Sequence, residues 1–396
     1  MRRSRALLTA ALTAGLALTP LASVSAAPAQ DNPSVLSWGA GSTGQLGNGA
    51  AKDSSAPVSV SSLSRGSVDR ISAGGTSSAD SFALALTNET VKAWGHNVSG
   101  QLGNGGRTNR SVPTAVARLT GIKDIAAGGE HALALDGNGQ VFSWGDNNYG
   151  QLGNNRTGDT RAVPNAIRGL PKVKQVSAGC DFSLALTETG KVYAWGRGVY
   201  GQLASGTRAT SSVPRQVEGL ANVKEIDAGC HHALALTADK TVKSWGHNSS
   251  GQLGDSSTRN SVTPVDVDWL EDVSDIEAGA NHNYATTTDG RVWGWGNNQN
   301  NQLLEADPAN KGTKAFTNRT APIDIPRLDG AQQVAAGAQH GIAVFGEDIF
   351  AWGHNTEGQL GNSSTTSSVE SVHTFNTNPA VQHVAASLGG NTSYAY

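Results

Sequence analysis

Apolar side chains alternate along most of this chain. From residue 35 onward, runs such as VKEIDA, HALAL, VYAWG and PRQV place an apolar residue at every second position. A period of two is the signature of strands, and no 12-residue stretch there carries a convincing 3.6-residue stripe. Between the second and third runs lie DGNG, TETG and TTDG, whose Gly, Asn and Asp suit tight hairpins. Four strands joined by short turns are therefore predicted for each unit.

The unit recurs. Trp-Gly pairs begin at Trp38, Trp94, Trp144, Trp195, Trp245, Trp295 and Trp352, with spacings of 56, 50, 51, 50, 50 and 57. GQLG or a relative follows each pair, and an Ala-Gly segment with alternating Ala and Leu precedes six of them. Seven four-stranded units predict an all-β chain, a seven-bladed β-propeller of four-stranded antiparallel blades. The chain enters at a third strand (35–39) and leaves at a second (394–396). The N- and C-terminal strands are thus expected to share one blade and close the ring, with 35–396 as a single domain.

Residues 1–34 break the pattern. Arg2, Arg3 and Arg5 precede a 14-residue apolar run from Ala6 to Thr19, and Val24-Ser25-Ala26 fits a small-x-small cleavage site. We read 1–26 as a secretory signal peptide of bacterial type and 27–34 as a short linker. No later segment is apolar enough to span a membrane. The expected location is secreted and extracellular.

Composition narrows the classes. Gly is 49 of 396 residues, about 12% against a usual ~7%, as a turn-rich β protein needs. Removing the three arginines takes the net charge from −3 to −6, and without a basic run nucleic-acid binding is disfavoured. GxSxG, P-loop and zincin motifs are absent, so no catalytic residue, cofactor or metal is assigned and the chain is expected not to be an enzyme.

WGxNxxGQLGN, followed by Pro and preceded by AGxxHxLAL, resembles the repeat of the regulator of chromosome condensation family, over roughly 31–396. The resemblance implies a seven-bladed propeller. It also implies a range of roles, from guanine-nucleotide exchange to light reception, ubiquitin-ligase domains and secreted enzyme inhibition. In a plant ultraviolet receptor of this family, tryptophans of the repeat sense light; here those positions are Gly75, Gly129, Cys180, Cys230, Ala280, Ala338 and Leu388, so no such sensor is expected.

Repetition separates structure from function, because a residue present in every blade cannot select a partner on one side. The seven repeat tryptophans are therefore structural. His131, His232, His282 and His340 share a position with Phe82, Phe182 and Thr392, which favours packing with a backbone hydrogen bond over metal binding. A second set, His96, His247 and His354, follows Trp-Gly in blades too far apart for zinc. Cys180 and Cys230 are equivalent in neighbouring blades. A disulfide there needs a radius of roughly 6–7 Å, near the channel wall; two buried thiols are the other reading.

Candidate partner-binding residues lie where units differ. The sixth unit replaces GQLG with NNQNNQLLEADPANKGTKAFTNRT and brings Lys311, Phe316 and Arg319; Tyr149 and Tyr200 precede Gly-Gln-Leu in two units. VDVDWLEDVSDIE sets Asp266, Asp268, Glu271, Asp272, Asp275 and Glu277 around Trp269, read as a solvated acidic edge with an exposed anchor. The function expected is a secreted, non-enzymatic, monomeric binding scaffold with an extracellular protein partner, inhibition of a secreted or cell-wall enzyme included. The alternatives are a lectin-like propeller for cell-wall carbohydrate and exchange-factor-like activity by family resemblance.

Overall fold

A computed structural model describes residues 34–305, 316–376 and 381–396. The signal peptide and all of the linker except Ser34 fall outside the described residues, as does Lys311. Seven four-stranded antiparallel sheets form the blades. We number them from the first complete one. Blade 1 has strands Arg70–Gly74, Phe82–Thr87, Thr90–Gly95 and Arg110–Ala115; blade 2 has Ile122–Ala127, His131–Asp136, Val141–Gly145 and Arg161–Ala166. Blade 3 has Val173–Ala178, Phe182–Thr187, Val192–Gly196 and Ser211–Gln216; blade 4 has Val223–Ala228, His232–Thr237, Val242–Gly246 and Ser261–Asp266. Blade 5 has Val273–Ala278, His282–Thr287, Val292–Gly296 and Arg319–Asp324; blade 6 has Gln333–Ala336, His340–Phe345, Asp348–Gly353 and Ser368–Asn376. Blade 7 joins Val384–Ala386 and Thr392–Ala395 to Ser34–Gly39 and Ser54–Ser64. Its register, from Leu36 opposite Ala395 to Gly39 opposite Thr392, closes the ring as the phase of the repeat required.

The core lies between blades rather than at the centre. Phe82, Leu84 and Leu102 of blade 1, for instance, pack with Ile125, Ala134 and Trp144 of blade 2. All seven repeat tryptophans are fully buried. Each indole N–H donates to the carbonyl of the Gln in the preceding blade's Gly-Gln-Leu loop. Trp94 reaches Gln45 at 2.8 Å, Trp195 reaches Gln151 at 2.9 Å, and Trp38 reaches Gln359 across the closure at 2.9 Å. A buried indole N–H needs such an acceptor, so one residue type fills the gap and latches the blades. The divergent loop of blade 5 keeps the latch: Trp352 still donates to Gln302 at 2.8 Å. Asn301 (φ 55°) and Leu304 (φ 45°) there adopt the left-handed backbone that Gly251 and Gly254 adopt in blade 4.

Three of the four histidines before the second strands also join blades through side-chain hydrogen bonds, whereas the buried His282 makes none and packs edge-on to Tyr284. His131 donates from Nε2 to Ser183 Oγ (2.9 Å), which donates to the Gln151 carbonyl (2.9 Å); His340 and Ser393 repeat this arrangement. His232 uses Asn283 Oδ1 at 2.6 Å. Where Phe replaces His, the facing residue is Ala: Phe82 meets Ala132, and Phe182 meets Ala233, at the equivalent positions. Burial lowers the imidazole pKa to about 3 at His131 and His340 and about 4 at His232, so these rings are neutral.

Candidate functional site

The topology gives the ring two faces. One carries the Ala-Gly loops between first and second strands and the Gly-Gln-Leu loops between third and fourth strands. The other carries the second-to-third hairpins and the connectors between blades. The Gly-Gln-Leu loops share one device. The Gln Oε1 accepts a backbone N–H two residues upstream, as at Ser99, Tyr149, Tyr200 and Ser250. In five blades its Nε2 takes an acceptor on the residue after Trp-Gly; in blade 7, where that residue is Ala40, Gln45 Nε2 donates instead to the Ser78 carbonyl at 2.7 Å. His96, His247 and His354 provide Nδ1 at 2.9 Å, Asp146 a carboxylate oxygen at 2.8 Å, and Asn297 an amide oxygen at 2.7 Å. The second histidine set is thus a loop brace rather than a ligand set.

Blade 3 breaks this device. Arg197 occupies the acceptor position, and the buried Gln202 Nε2 has no partner. Such an orphaned donor costs on the order of 1–3 kcal/mol. The guanidinium turns instead to Asp181, with Nη1 to Oδ2 at 2.9 Å. It lies 4.8 Å from the Tyr149 ring centroid and 5.6 Å from that of Tyr200. Burial is the largest single influence and opposes its charge, but the hydrogen bond and charge of Asp181, with Tyr149 and Tyr200, together raise its pKa. Tyr200 in turn packs on His247 at 4.7 Å and His231 at 5.1 Å. Burial, then Arg197 and His247, lowers His231 to about 4, so it is neutral beside the cation. Val199, on the same loop as Arg197 and Tyr200, is 40% exposed, and Val98, on the blade 1 loop of the same face, is 61% exposed.

A disulfide underlies the cluster. Cys180 and Cys230 are bonded, with a Cα separation of 4.5 Å, joining blades 3 and 4. This resolves the two cysteine readings in favour of the bond. Asp181 and His231 are the residues that follow the two cysteines, so the cross-link holds the loops that carry them. The Cys180 N–H also donates to the Cys230 carbonyl at 2.9 Å. Gly229, just before Cys230, has no room for a side chain: a Cβ there would meet His232 Cε1 at 2.0 Å.

The structure brings Tyr149 and Tyr200 together but separates the other predicted site residues. Trp269 lies in the connector between blades 4 and 5, on the opposite face. Phe316 is half-buried and Arg319 is tied to Glu305, Nε to Oε2 at 3.0 Å. The acidic edge is also divided. Asp266 and Asp268 sit at the surface, whereas Asp275 and Glu277 line the central channel with Glu225, Asp227 and Arg70. First strands line this channel, so every second residue of VSDIEA and VKEIDA points inward. Burial, then Asp275, pushes Glu225 up to about 8; burial pushes Asp227 to about 6 and Glu277 well above the usual carboxylate range. Asp227 accepts from Ser177 Oγ (3.0 Å) and from Ala278 N (2.7 Å), and Arg70 pairs with Asp124 (3.2 Å). No group of three or more potential ligands among the described residues has metal-binding geometry. Arg197 and Asp181 were missed by the sequence reading. The available signal was a cation at a position where five sister loops carry an acceptor.

Fold and loops together define a seven-bladed propeller whose blade-specific chemistry sits on its faces. The chain belongs to the RCC1-like domain family, whose model matches residues 34–395. It is 38% identical over 178 residues to the ultraviolet-B receptor UVR8 of Arabidopsis thaliana, covering 44% of this chain and 40% of that protein. It is 38% identical over 184 residues to the human E3 ubiquitin-protein ligase HERC2, covering 44% of this chain and 4% of that protein. The chain thus spans under half the length of these relatives. Among solved structures, it is similar to yeast RCC1 (Prp20) bound to Kap60, with a TM-score of 0.80, 25% identity and coverage of 91% and 88% of the two chains. Human WBSCR16 shares the fold, with a TM-score of 0.78, 22% identity and coverage of 91% and 98%. Among the described residues no helix is long and apolar enough to cross a membrane.

Proposed function

We propose that this chain is an exported protein-binding scaffold that engages a protein partner through the Arg197 face. The observation that carries this reading is the Tyr149–Arg197–Tyr200 stack, bought at the expense of an unsatisfied Gln202. Tyr and Arg are the residue types that dominate binding energy at protein interfaces. Exposed Val199, on the same loop, supplies apolar surface beside them. The ring and its interblade disulfide hold the stack in place, which lowers the ordering cost of association. The structural relative bound to Kap60 supports a protein rather than a small molecule as the ligand.

Export is supported by the basic-apolar-small order of residues 1–26 and by a cross-link that persists in oxidising compartments. The partner is accordingly extracellular, and a secreted or cell-wall enzyme docked on this face would be inhibited by occlusion. The test is capture from culture supernatant and cell-wall extract on immobilised mature chain, in parallel with Arg197→Ala. A partner retained by the wild type and lost by Arg197→Ala supports the reading. Equal retention by both places the interface elsewhere. Elution by soluble glucan or chitin fragments would favour carbohydrate binding instead.

A further inference from the structure

On the opposite face, the connector between blades 4 and 5 presents Trp269 at 76% exposure. Its φ is +64°, and the equivalent positions of four other connectors share the left-handed backbone: Ser62 (φ 57°), Arg118 (φ 60°), Gly169 (φ 86°) and Gly219 (φ 80°). A bulky residue in that region costs on the order of 1–2 kcal/mol, and burial returns little of it here. Trp269 and Trp293 line one open pocket of about 270 Å³ with Glu271, Asp272, Asp289 and Arg291. Arg291 lies 5.2 Å from the Trp293 ring centroid and is paired with Asp324. That half of the pocket therefore already displays a guanidinium on an indole with a carboxylate counter-ion.

The other half has the Trp269 indole and two carboxylates, of which only one has a cationic partner. Asp272 pairs with Lys240 at 3.3 Å, while Glu271 has no ion-pair partner among the described residues. Asp289 accepts from Thr287 Oγ1 at 2.6 Å, a bond that holds its carboxyl below the usual range and keeps it charged. Carboxylates outnumber cations along the lining.

We propose that the pocket formed by Trp269, Trp293 and Glu271 binds an arginine or lysine side chain presented by an extended segment of a partner protein. The incoming cation lies on the Trp269 indole and pairs with Glu271, as Arg291 does with Trp293 and Asp324. Charge complementarity favours a cationic segment: a sugar hydroxyl would gain a hydrogen bond from the carboxylate, whereas a cation gains an ion pair as well. This site is separate from the Arg197 face, and either reading can fail alone.

The chain's own fluorescence tests it. Seven of the nine tryptophans are fully buried, so quenching by neutral acrylamide reports Trp269 and Trp293. An acetylated, amidated Gly-Arg-Gly-Arg-Gly peptide is titrated into the full mature chain, with its citrulline counterpart and cellohexaose as the other probes. The arginine peptide is expected to lower the quenching constant at least about twofold at low salt and less in 1 M salt. Glu271→Gln is expected to weaken binding roughly 3- to 10-fold, within the range of one cation–π and ion-pair contact. Trp269→Gly, which places there the residue that two sister connectors carry, is expected to abolish protection without lowering the melting temperature. Arg197→Ala is expected to leave protection unchanged. Equal protection by the citrulline peptide, protection by cellohexaose alone, or protection surviving in Trp269→Gly would overturn the proposal.

Discussion

The Gly-Gln-Leu loops of blades 2 and 3 have nearly the same backbone and opposite chemistry. In blade 2, Asp146 takes the Gln151 Nε2 bond at 2.8 Å, and the loop is internally satisfied. In blade 3, Arg197 leaves Gln202 Nε2 bare and spends its own bond on Asp181 in a different loop. The fold tolerates the change because the latch itself does not use that atom: Trp195 and Trp245 still donate to the Gln151 and Gln202 carbonyls at 2.9 Å. Departures that cost local stability while sparing the latch are where a repeat protein shows its specific role.

The largest expected effect tests the shared part. Trp195→Ala should lose roughly 3–5 kcal/mol as a buried large-to-small change, and Trp144→Ala the same, measured by denaturant unfolding. If the two variants differed by more than about 2 kcal/mol, the loops would not be equivalent supports.

Next comes the cross-link that only the blade 3 side possesses. With a sequence separation of 50, removing it through the Cys180→Ser/Cys230→Ser double variant should cost about 4 kcal/mol on the chain-entropy account. Reduction of the wild type should lower the denaturant midpoint as far as the double variant does. A shift near zero would show that the backbone bonds between these loops suffice.

The channel gives a pH test. An acid whose pKa rises on folding binds protons more tightly in the native state, so its stabilising contribution falls as pH rises through the window between the two values. For Glu225 that window runs from about 4.5 to about 8. Stability should decline from pH 6.5 to 8 by at most about 1.4 kcal/mol per pH unit from this group. Glu225→Gln should flatten the decline in thermal melts. The buried histidines act in the other sense. They stay neutral in the fold, so stability falls on acidification below about 6.5 until their folded values near 3–4 are reached.

The smallest effect has the opposite sign and sharpens the comparison most. Arg197→Gln restores an acceptor for Gln202, and should stabilise the chain by about 1 kcal/mol while weakening partner capture. A destabilised Arg197→Gln would mean that the pair with Asp181 contributes more than the orphaned donor costs.

Blade count, strand order and ring closure were readable because they are local and repeated. Period-two runs, hairpin Gly and Asn, and the phase at residues 35–39 and 394–396 each act through neighbouring residues or through seven copies. The disulfide was half readable, since equivalent positions fixed the geometry but not the bond. The sites were less so. Tyr149, Arg197 and Tyr200 come from two blades, and Asp181 and His231 from loops that the ring brings to one face. Trp269 and Tyr149 looked alike as exposed aromatics until strand direction put them on opposite sides.

By itself, then, the amino-acid order determined the unit, its number and its closure, because backbone pairing and turn preferences are set within a few residues. Only the closed ring decided that Asp275 and Glu277 face a channel, that Gln202 lacks a partner and that Trp269 shares a pocket with Trp293. Those outcomes depend on contacts between chain segments that meet only when neighbouring blades pack.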